Sequence, residues 1–229
     1  MKIAVLLPGH IRAWEYCKSN FMETIYDTRH NIDVFVDTYT DIFRNDYSLH
    51  KENEMGIIKN EDQVLSLFSG INVVDFKIEN QIPGDPEIMQ IRKILRIVKA
   101  YEQYEKLHGK YDLVIRSRCD LLLNDKLDYE VIFNNCKNSR LIYIGNGAVH
   151  MPTNDMFAIC STETFKLYGN RFTDDRIPVE YRNKVHITMQ EIGRIHNVSY
   201  SQTIAISVVR LGGPGKSLTD NNISYRVFQ

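Results

Sequence analysis

Short apolar runs that end in polar residues recur along the first half of the chain. Lys2–Leu7 ends at the turn residues Pro8 and Gly9, and Asp33–Thr38 and Val73–Ile78 are runs of the same kind. Such runs, bounded by turn or polar residues, are typical of strands that are buried on both faces of a parallel sheet. We therefore expect three strands here, each with its polar end at the carboxyl edge of the sheet.

Helical patterns separate these strands. Helices are predicted at residues 14–25, 61–68 and 85–108. The third has the clearest limits, because Asp85 is a favourable N-cap, Pro86 suits the first helical position and Gly109 ends the pattern. Its apolar stripe is predicted to be Ile88, Ile91, Leu95 and Val98. The alternation of strand and helix predicts an α/β, Rossmann-like fold with a mixed, mostly parallel sheet and helices on both faces.

The second half of the chain is less regular. Strands are predicted at Leu141–Ile144, Met156–Cys160 and Thr203–Leu211, and helices at residues 162–172 and 179–196. A polar tail is expected from about residue 212. Because there is no linker, repeat or low-complexity segment, we expect one domain over residues 1–229, a length that can bury a substantial core.

Tyr111–Leu123 carries a charged residue at every second position between two apolar runs. These residues are Arg116, Arg118 and Asp120. If the stretch is a strand, alternation of side chains places all three on one edge. Two guanidinium groups and a carboxylate are costly to bury unless they are paired or bind a ligand. The pattern fits a site that holds an anion with a metal on Asp120, and it fits an internal Arg–Asp network that braces the sheet; the spacing leaves both open.

Further polar groups follow the predicted strands. They are Pro8, Gly9, His10 and Arg12 after the first strand, and Asp37, Thr38 and Tyr39 at the end of the second. Because ligands of open α/β sheets bind beyond the carboxyl ends of the strands, we expect these residues to face a ligand. Arg92 and Arg96 lie one turn apart on the long helix, where a forked guanidinium suits the two oxygens of a diphosphate. A solvated helix edge is the alternative explanation of this arginine pair.

Several common functions lack their sequence signals. The net charge of −1 gives no electrostatic reason to expect nucleic acid or an anionic membrane as a partner. No dinucleotide-binding GxGxxG, P-loop, GxSxG or HExxH pattern occurs, and Tyr39 stands where an aspartyl-phosphate phosphatase needs a second acid after Asp37. The four cysteines form no CxxC pair, and no apolar run approaches the roughly 18 residues of a membrane-spanning helix. We expect a cytoplasmic protein with reduced thiols.

Four segments, taken together, resemble a known enzyme family. They are IAVLLPGHIR, DVFVDTY, KYDLVIRSRCDLLL and NDMFAICSTE, and the resemblance covers about residues 1–172 in order. The chain resembles GT-A-fold, nucleotide-sugar-dependent glycosyltransferases of the kind encoded by large DNA viruses of algae and in bacterial polysaccharide clusters. The resemblance implies a GT-A-like domain, transfer of a hexose from a UDP sugar to a glycan hydroxyl, an Mn²⁺ or Mg²⁺ cofactor and, for a viral protein, location in the host cytoplasm.

The resemblance also implies roles for single residues. Asp120 takes the last acid of the family's Asp-x-Asp motif, which binds the metal, whereas Arg118 replaces the first acid. The turn after the first strand and the end of the second strand would hold the base and ribose. Asp155 would face the transferred sugar or the acceptor, and Lys216 would lie near the diphosphate. His150, in the loop before Asp155, is the histidine that we expect as a second metal ligand.

Two other kinds of function stay open. One is an enzyme that processes sugar nucleotides or phosphate esters, such as a nucleotidyltransferase or a phosphatase. The other is a non-enzymatic domain that binds a nucleotide sugar or a glycan. We find no residue that must act as a general base, which favours retention of configuration if the chain is a transferase.

Overall fold

The computed structural model describes residues 1–11, 13–39, 60–80, 85–146, 155–211 and 223–227, the last segment and residues 208–211 by their backbone alone. The strands are β1 (Lys2–Pro8), β2 (Asn31–Tyr39), β3 (Val73–Glu79), β4 (Leu113–Arg116), β5 (Leu121–Leu123), β6 (Leu141–Gly145), β7 (Ala158–Ser161), β8 (Ser199–Ile204), β9 (Ile206–Leu211) and β10 (Ile223–Val227). The helices are α1 (Trp14–Thr24), α2 (Glu61–Ser66), α3 (Pro86–His108), α4 (Tyr129–Cys136), α5 (Thr162–Gly169) and α6 (Val185–His196).

Seven strands form the main sheet, in the order β3-β2-β1-β4-β7-β6-β8. Pairing is parallel from β3 to β4 and between β6 and β8. Strand β7 alone among these seven runs the other way, antiparallel to both β4 and β6. The prediction of an α/β fold with a mixed, mostly parallel sheet is therefore confirmed.

Helices cover both faces of this sheet, as predicted. Along β1, Ile3, Val5 and Leu7 face one hydrophobic core, whereas Ala4 and Leu6 face the other. The first core also contains apolar residues of α1, α2 and α4, and the second contains residues of α3, α5 and α6. Continuous apolar runs are what such a two-sided burial requires, because neither face of a strand meets water.

Helix α3 has the predicted ends and a different buried stripe. The Asp85 side chain accepts hydrogen bonds from the N–H groups of Glu87 (2.8 Å) and Ile88 (3.4 Å), and Gly109 ends the helix at a φ of 89°. Ile88 is 52% exposed, so its place on the predicted stripe is wrong. The buried stripe consists of Ile91, Ile94, Ile97, Val98 and Tyr101. The residues of the later turns determine which face of the helix packs against the sheet, and Ile88 does not lie on that face.

Tyr111–Leu123 is not one strand. β4 ends at Arg116, residues 117–120 form a turn, and β5 belongs to a separate antiparallel sheet of order β10-β9-β5. The prediction that Arg116, Arg118 and Asp120 share one strand edge is therefore wrong. Because the two halves pair with different sheets, the alternation of side chains stops at the turn between them.

The second half departs from the sequence prediction at four further places. The predicted strand at Thr203–Leu211 is divided, because β8 pairs with β6 in the main sheet and β9 pairs with β5 in the small one. Residues 179–196 form a short 3₁₀ turn (Val179–Tyr181) followed by α6. Helix α4 was not predicted, and β10 lies in the predicted polar tail.

All four cysteines are buried and free, as expected of reduced thiols. Within the described ranges, no helix has the length and apolar character that crossing a membrane requires.

Candidate functional site

The turn after β1 and the end of β2 meet at the carboxyl edge of the sheet. Gly9 donates its backbone N–H to the carbonyl of Asp37 at 2.9 Å, with a φ of 115° that favours glycine. The ring of His10 packs against the ring of Tyr39, with centroids 4.7 Å apart. The structure therefore brings together the two segments that the sequence predicted to face a ligand.

Asp37 does not face open solvent, because Lys93 of α3 covers it. Both side chains are only 1% exposed, and the Lys93 ammonium donates to Asp37 Oδ1 at 2.7 Å and to the carbonyl of Thr38 at 2.6 Å. Glu79 Oε1 lies 3.1 Å from the same ammonium, and the Tyr39 ring lies under it at 3.8 Å. Burial lowers the pKa of Lys93, although its hydrogen bond to Asp37 opposes that shift.

Arg96 completes this group, which we call the Asp37 cluster (Asp37, Glu79, Lys93 and Arg96). Its guanidinium donates to both carboxylate oxygens of Asp37 and to Glu79. Arg92 is 50% exposed and lies 3.6 Å from Glu79 at the border of the cluster. Of the two arginines predicted to bind a diphosphate, Arg96 is thus occupied by carboxylates of the chain itself, and Arg92 stays largely accessible.

Arg118 and Asp120 pair with each other across the turn between β4 and β5. Arg118 donates from Nε to Asp120 Oδ1 at 2.8 Å and from Nη2 to Oδ2 at 2.6 Å. The Asp120 side chain is 2% exposed and that of Arg118 is 23% exposed, so the arginine forms the outer side of the pair. Burial works to lower the pKa of Arg118, but the charge of Asp120 outweighs it and leaves the pKa raised.

The described residues do not form a complete metal site. Nowhere in the described ranges do three His, Cys, Asp or Glu side chains come together in a way that could hold a metal ion. Asp120, the predicted ligand, already binds Arg118 through both oxygens, whereas Mg²⁺ and Mn²⁺ need several oxygen ligands. The donor set that is described does not fit a resident divalent cation.

A second group, the Asp155 cluster (Gln90, Arg116, Asp155 and Arg171), lies between β4, α3 and the end of α5. Asp155 Oδ2 accepts a hydrogen bond from Gln90 at 2.7 Å and lies 3.4 Å from Arg116 Nη1. All three charged members are buried. The charge of Asp155 acts to raise the pKa of both Arg118 and Arg171, so the Arg118–Asp120 pair and the Asp155 cluster are electrostatically coupled.

Three predicted site residues, Arg12, His150 and Lys216, lie outside the described residues. Of the others, Pro8, Gly9, His10, Asp37, Thr38 and Tyr39 meet at the end of β1 and β2, while Asp120, Arg118 and Asp155 lie beyond β4. Both groups therefore belong to the same edge of the sheet, as the strand and helix pattern predicted for all of these residues except Asp155, which only the family resemblance implied.

Sequence reasoning missed Lys93, Arg171, Glu79 and Gln90. Lys93 had a usable signal, because it stands four residues before Ile97 on the buried stripe of α3, where a charge needs a partner. Arg171 had no such signal, since it follows the end of α5 in an irregular segment.

No protein-family model matches the chain, and no curated protein matches it.

Proposed function

We propose that the chain is a glycosyltransferase that moves a sugar from a nucleotide diphosphate sugar, most consistently a UDP sugar, to a glycan hydroxyl. Resemblance to GT-A-fold enzymes and the mixed, mostly parallel sheet support this proposal. The observation that carries it is the pair of buried carboxylates beyond β4, Asp120 and Asp155. Arg116, the last residue of β4, contacts Asp155, and Arg118 in the following turn contacts Asp120.

Such a site suits a ligand that is both anionic and rich in hydroxyls. The partly exposed guanidinium of Arg118 is available to stabilise negative charge on a leaving diphosphate. Asp155 is held through Oδ2 alone, and among the described residues nothing donates a hydrogen bond to its Oδ1. That oxygen is free to accept a hydrogen bond from a sugar hydroxyl and so to orient the donor.

The geometry around Asp37 weighs against the phosphatase alternative. A nucleophilic carboxylate must reach the phosphorus atom, but Asp37 is 1% exposed and both its oxygens are occupied by Lys93 and Arg96. Its role in the proposal is to hold the end of β2, where the ring of His10 packs against that of Tyr39.

The test is the acceptor-free hydrolysis of a panel of UDP sugars, together with UDP binding by thermal shift with and without Mn²⁺. The wild type should release UDP slowly from one preferred sugar, and UDP should raise Tm. In Asp155→Asn we expect kcat/KM for hydrolysis to fall about ten- to a hundredfold, because the loss of one hydrogen bond to a charged group has an effect of this size. The affinity for UDP should be unchanged. Asp125→Asn, an exposed change, is the matched control.

The thermal shift also tests the predicted metal. If Mn²⁺ increases the rise in Tm that UDP causes, and if Asp120→Asn abolishes this additional rise, the prediction of Mn²⁺ or Mg²⁺ as cofactor is confirmed. Release of inorganic phosphate from simple phosphate esters, lost in Asp37→Asn, would replace the proposal with a phosphatase.

A further inference from the structure

Arg171 is a completely buried arginine whose hydrogen-bonding capacity is largely unused. Its side chain is 0% exposed. Nη1 donates to the carbonyl of Tyr168 at 2.7 Å, but Nε and Nη2 have no hydrogen-bond partner among the described residues. Leaving buried donors unpaired is costly, and a guanidinium cannot release its proton to avoid that cost. The group therefore calls for a partner that is not part of the described protein.

The unused atoms are the two that form one edge of the guanidinium fork. Elsewhere in this chain, the same edge holds a carboxylate. Nε and Nη2 donate together to an acid at Arg29–Asp27, Arg96–Asp37, Arg118–Asp120, Arg176–Asp174 and Arg194–Glu191. At Arg171 the edge has the same geometry and no acid.

The surroundings fix the orientation of that edge. The guanidinium carbon lies 4.2 Å from the ring centroids of both Tyr168 and Phe172, so aromatic rings cover it. Two further buried groups have no hydrogen-bond partner within the part of the chain that is described: the hydroxyl of Tyr168 and Nε of Arg116. Tyr168 and Arg171, which contact each other, thus both have unused donors, and so does Arg116, whose charge acts on Arg171.

Among the residues that the structure describes, the charges of this region do not balance. Arg116, Arg118 and Arg171 contribute three positive charges, and Asp120 and Asp155 contribute two negative ones. Burial lowers the pKa of Arg171, and the neighbouring charge of Arg116 adds to that shift. A single negative charge brings the group to neutrality, whereas a dianion would leave a buried charge of the opposite sign.

We propose that Arg171, Arg116 and Tyr168 form a binding site for one carboxylate group, either a small free carboxylate or the acid group of a larger ligand. The carboxylate accepts two parallel hydrogen bonds from Nε and Nη2 of Arg171 and further ones from Arg116 Nε and the Tyr168 hydroxyl. This site is assigned from its own geometry and does not rest on the transferase proposal.

The first experiment titrates the wild-type protein with sodium formate and sodium acetate, with sodium chloride at matched ionic strength as reference. These anions are small enough for a site with no exposed surface. Because a ligand of the folded state raises Tm with its concentration, formate and acetate should raise Tm above the chloride curve. Superposition of the three curves would overturn the proposal.

The second experiment locates the effect with ¹⁵N-arginine-labelled protein. In the NMR spectrum, the Nε–H signal that is absent from Arg171→Met is assigned to Arg171. Formate should shift this signal in the wild type. Arg171→Met should weaken formate binding about tenfold or more, in line with the loss of hydrogen bonds to a charged group. Arg194→Met is the matched control, because Arg194 uses the same fork for Glu191 at the surface.

Two outcomes contradict the proposal even where an anion binds. Equal formate binding in Arg171→Met would place the site elsewhere. A larger shift of the Arg171 signal with inorganic phosphate than with formate would assign the fork to a phosphate instead of a carboxylate. Neither result depends on nucleotide sugars, so a failure of the carboxylate-site proposal can be distinguished from a failure of the transferase proposal.

Discussion

The Asp37 cluster and the Asp155 cluster both place charged side chains beneath helix α3, and they differ in how fully those charges are paired. In the Asp37 cluster, Lys93 contacts two carboxylates, a carbonyl and an aromatic ring, and Arg96 contacts the same two carboxylates. In the Asp155 cluster, the carboxylate pairs with Arg116 and not with Arg171, and three nitrogen atoms of these two buried arginines have no hydrogen-bond partner in the described ranges. The first arrangement is that of a structural brace, whereas the second is that of a site which a ligand completes.

The same substitution in both clusters should give opposite results. Lys93→Met removes the cation from two acids, and we expect the free energy of unfolding to fall by about 3 kcal/mol, the low end for a broken buried ion pair, because Arg96 still holds Asp37. Arg171→Met removes a cation with unused donors, so stability should stay level or rise by about 1 kcal/mol. Urea unfolding measures both changes, and the exposed Lys99→Met on α3 is the control.

An equal loss in both variants would contradict the comparison. It would mean that Arg171 stabilises the fold through its carbonyl contact and its two aromatic neighbours as much as Lys93 does through its acids.

The two arginines of α3 give a second, smaller contrast. Arg96→Ala leaves Asp37 and Glu79 with Lys93 as their remaining buried cation, and we expect the free energy of unfolding to fall by about 1–2 kcal/mol, because the Arg96 side chain is only partly buried. Arg92→Ala should change stability by less than about 0.5 kcal/mol, since Arg92 is half exposed and its contact with Glu79 is long. UDP affinity of the folded Arg96→Ala protein should be unchanged, as measured by calorimetric titration. A tenfold weaker Kd with an unchanged Tm would instead support the diphosphate role predicted from sequence.

The smallest expected effect is a pH dependence that belongs to the paired cluster. Burial alone raises the pKa of Glu79, but the hydrogen bonds from Arg96 and Lys93 outweigh it and leave the pKa below its ordinary value of 4.5. A carboxylate with a lowered pKa in the folded state stabilises the protein above its unfolded pKa, and that contribution is lost as the pH falls through the folded pKa.

The measurement is urea unfolding at a series of pH values below about 4.5. The free energy of unfolding should decrease more steeply with falling pH in the wild type than in Glu79→Gln, where this titrating group is absent. Parallel curves would show that Glu79 is not part of a charge-paired brace.

Local signals in the sequence were sufficient for the first half of the fold. The apolar run of β1 and the cap residues Asp85 and Gly109 predicted their elements within a residue or so, because burial on both faces and helix ends each leave a residue-level signature. Helix α4 was missed, although Asp128 is a favourable N-cap and accepts a hydrogen bond from the N–H of Val131 at 3.1 Å.

The candidate site was predictable in its position and not in its pairing. The carboxyl edge follows from the order of strands and helices, so His10, Asp37 and Asp120 were placed there, whereas Asp155 was expected at the site only from the family resemblance. Which charges meet depends on the rotation of α3 and on the turn at residues 117–120, and neither is encoded by spacing. Arg118 and Asp120 were indeed expected to be close, but they meet across a turn and not along a strand edge.

The turn at residues 117–120 also has a consequence for the order in which the protein matures during translation. The first end of this turn is fixed as soon as β4 has been synthesised, because β4 pairs with β1, which precedes it in the chain. Its exit is fixed by β5, whose antiparallel partner Ile206–Val208 follows all seven strands of the main sheet in the chain. A nascent chain that has emerged only as far as α5 contains Arg118, Asp120 and Asp155, yet it still lacks the strand that anchors β5. Ligand binding at this edge should therefore appear only after the strands of the main sheet have been synthesised.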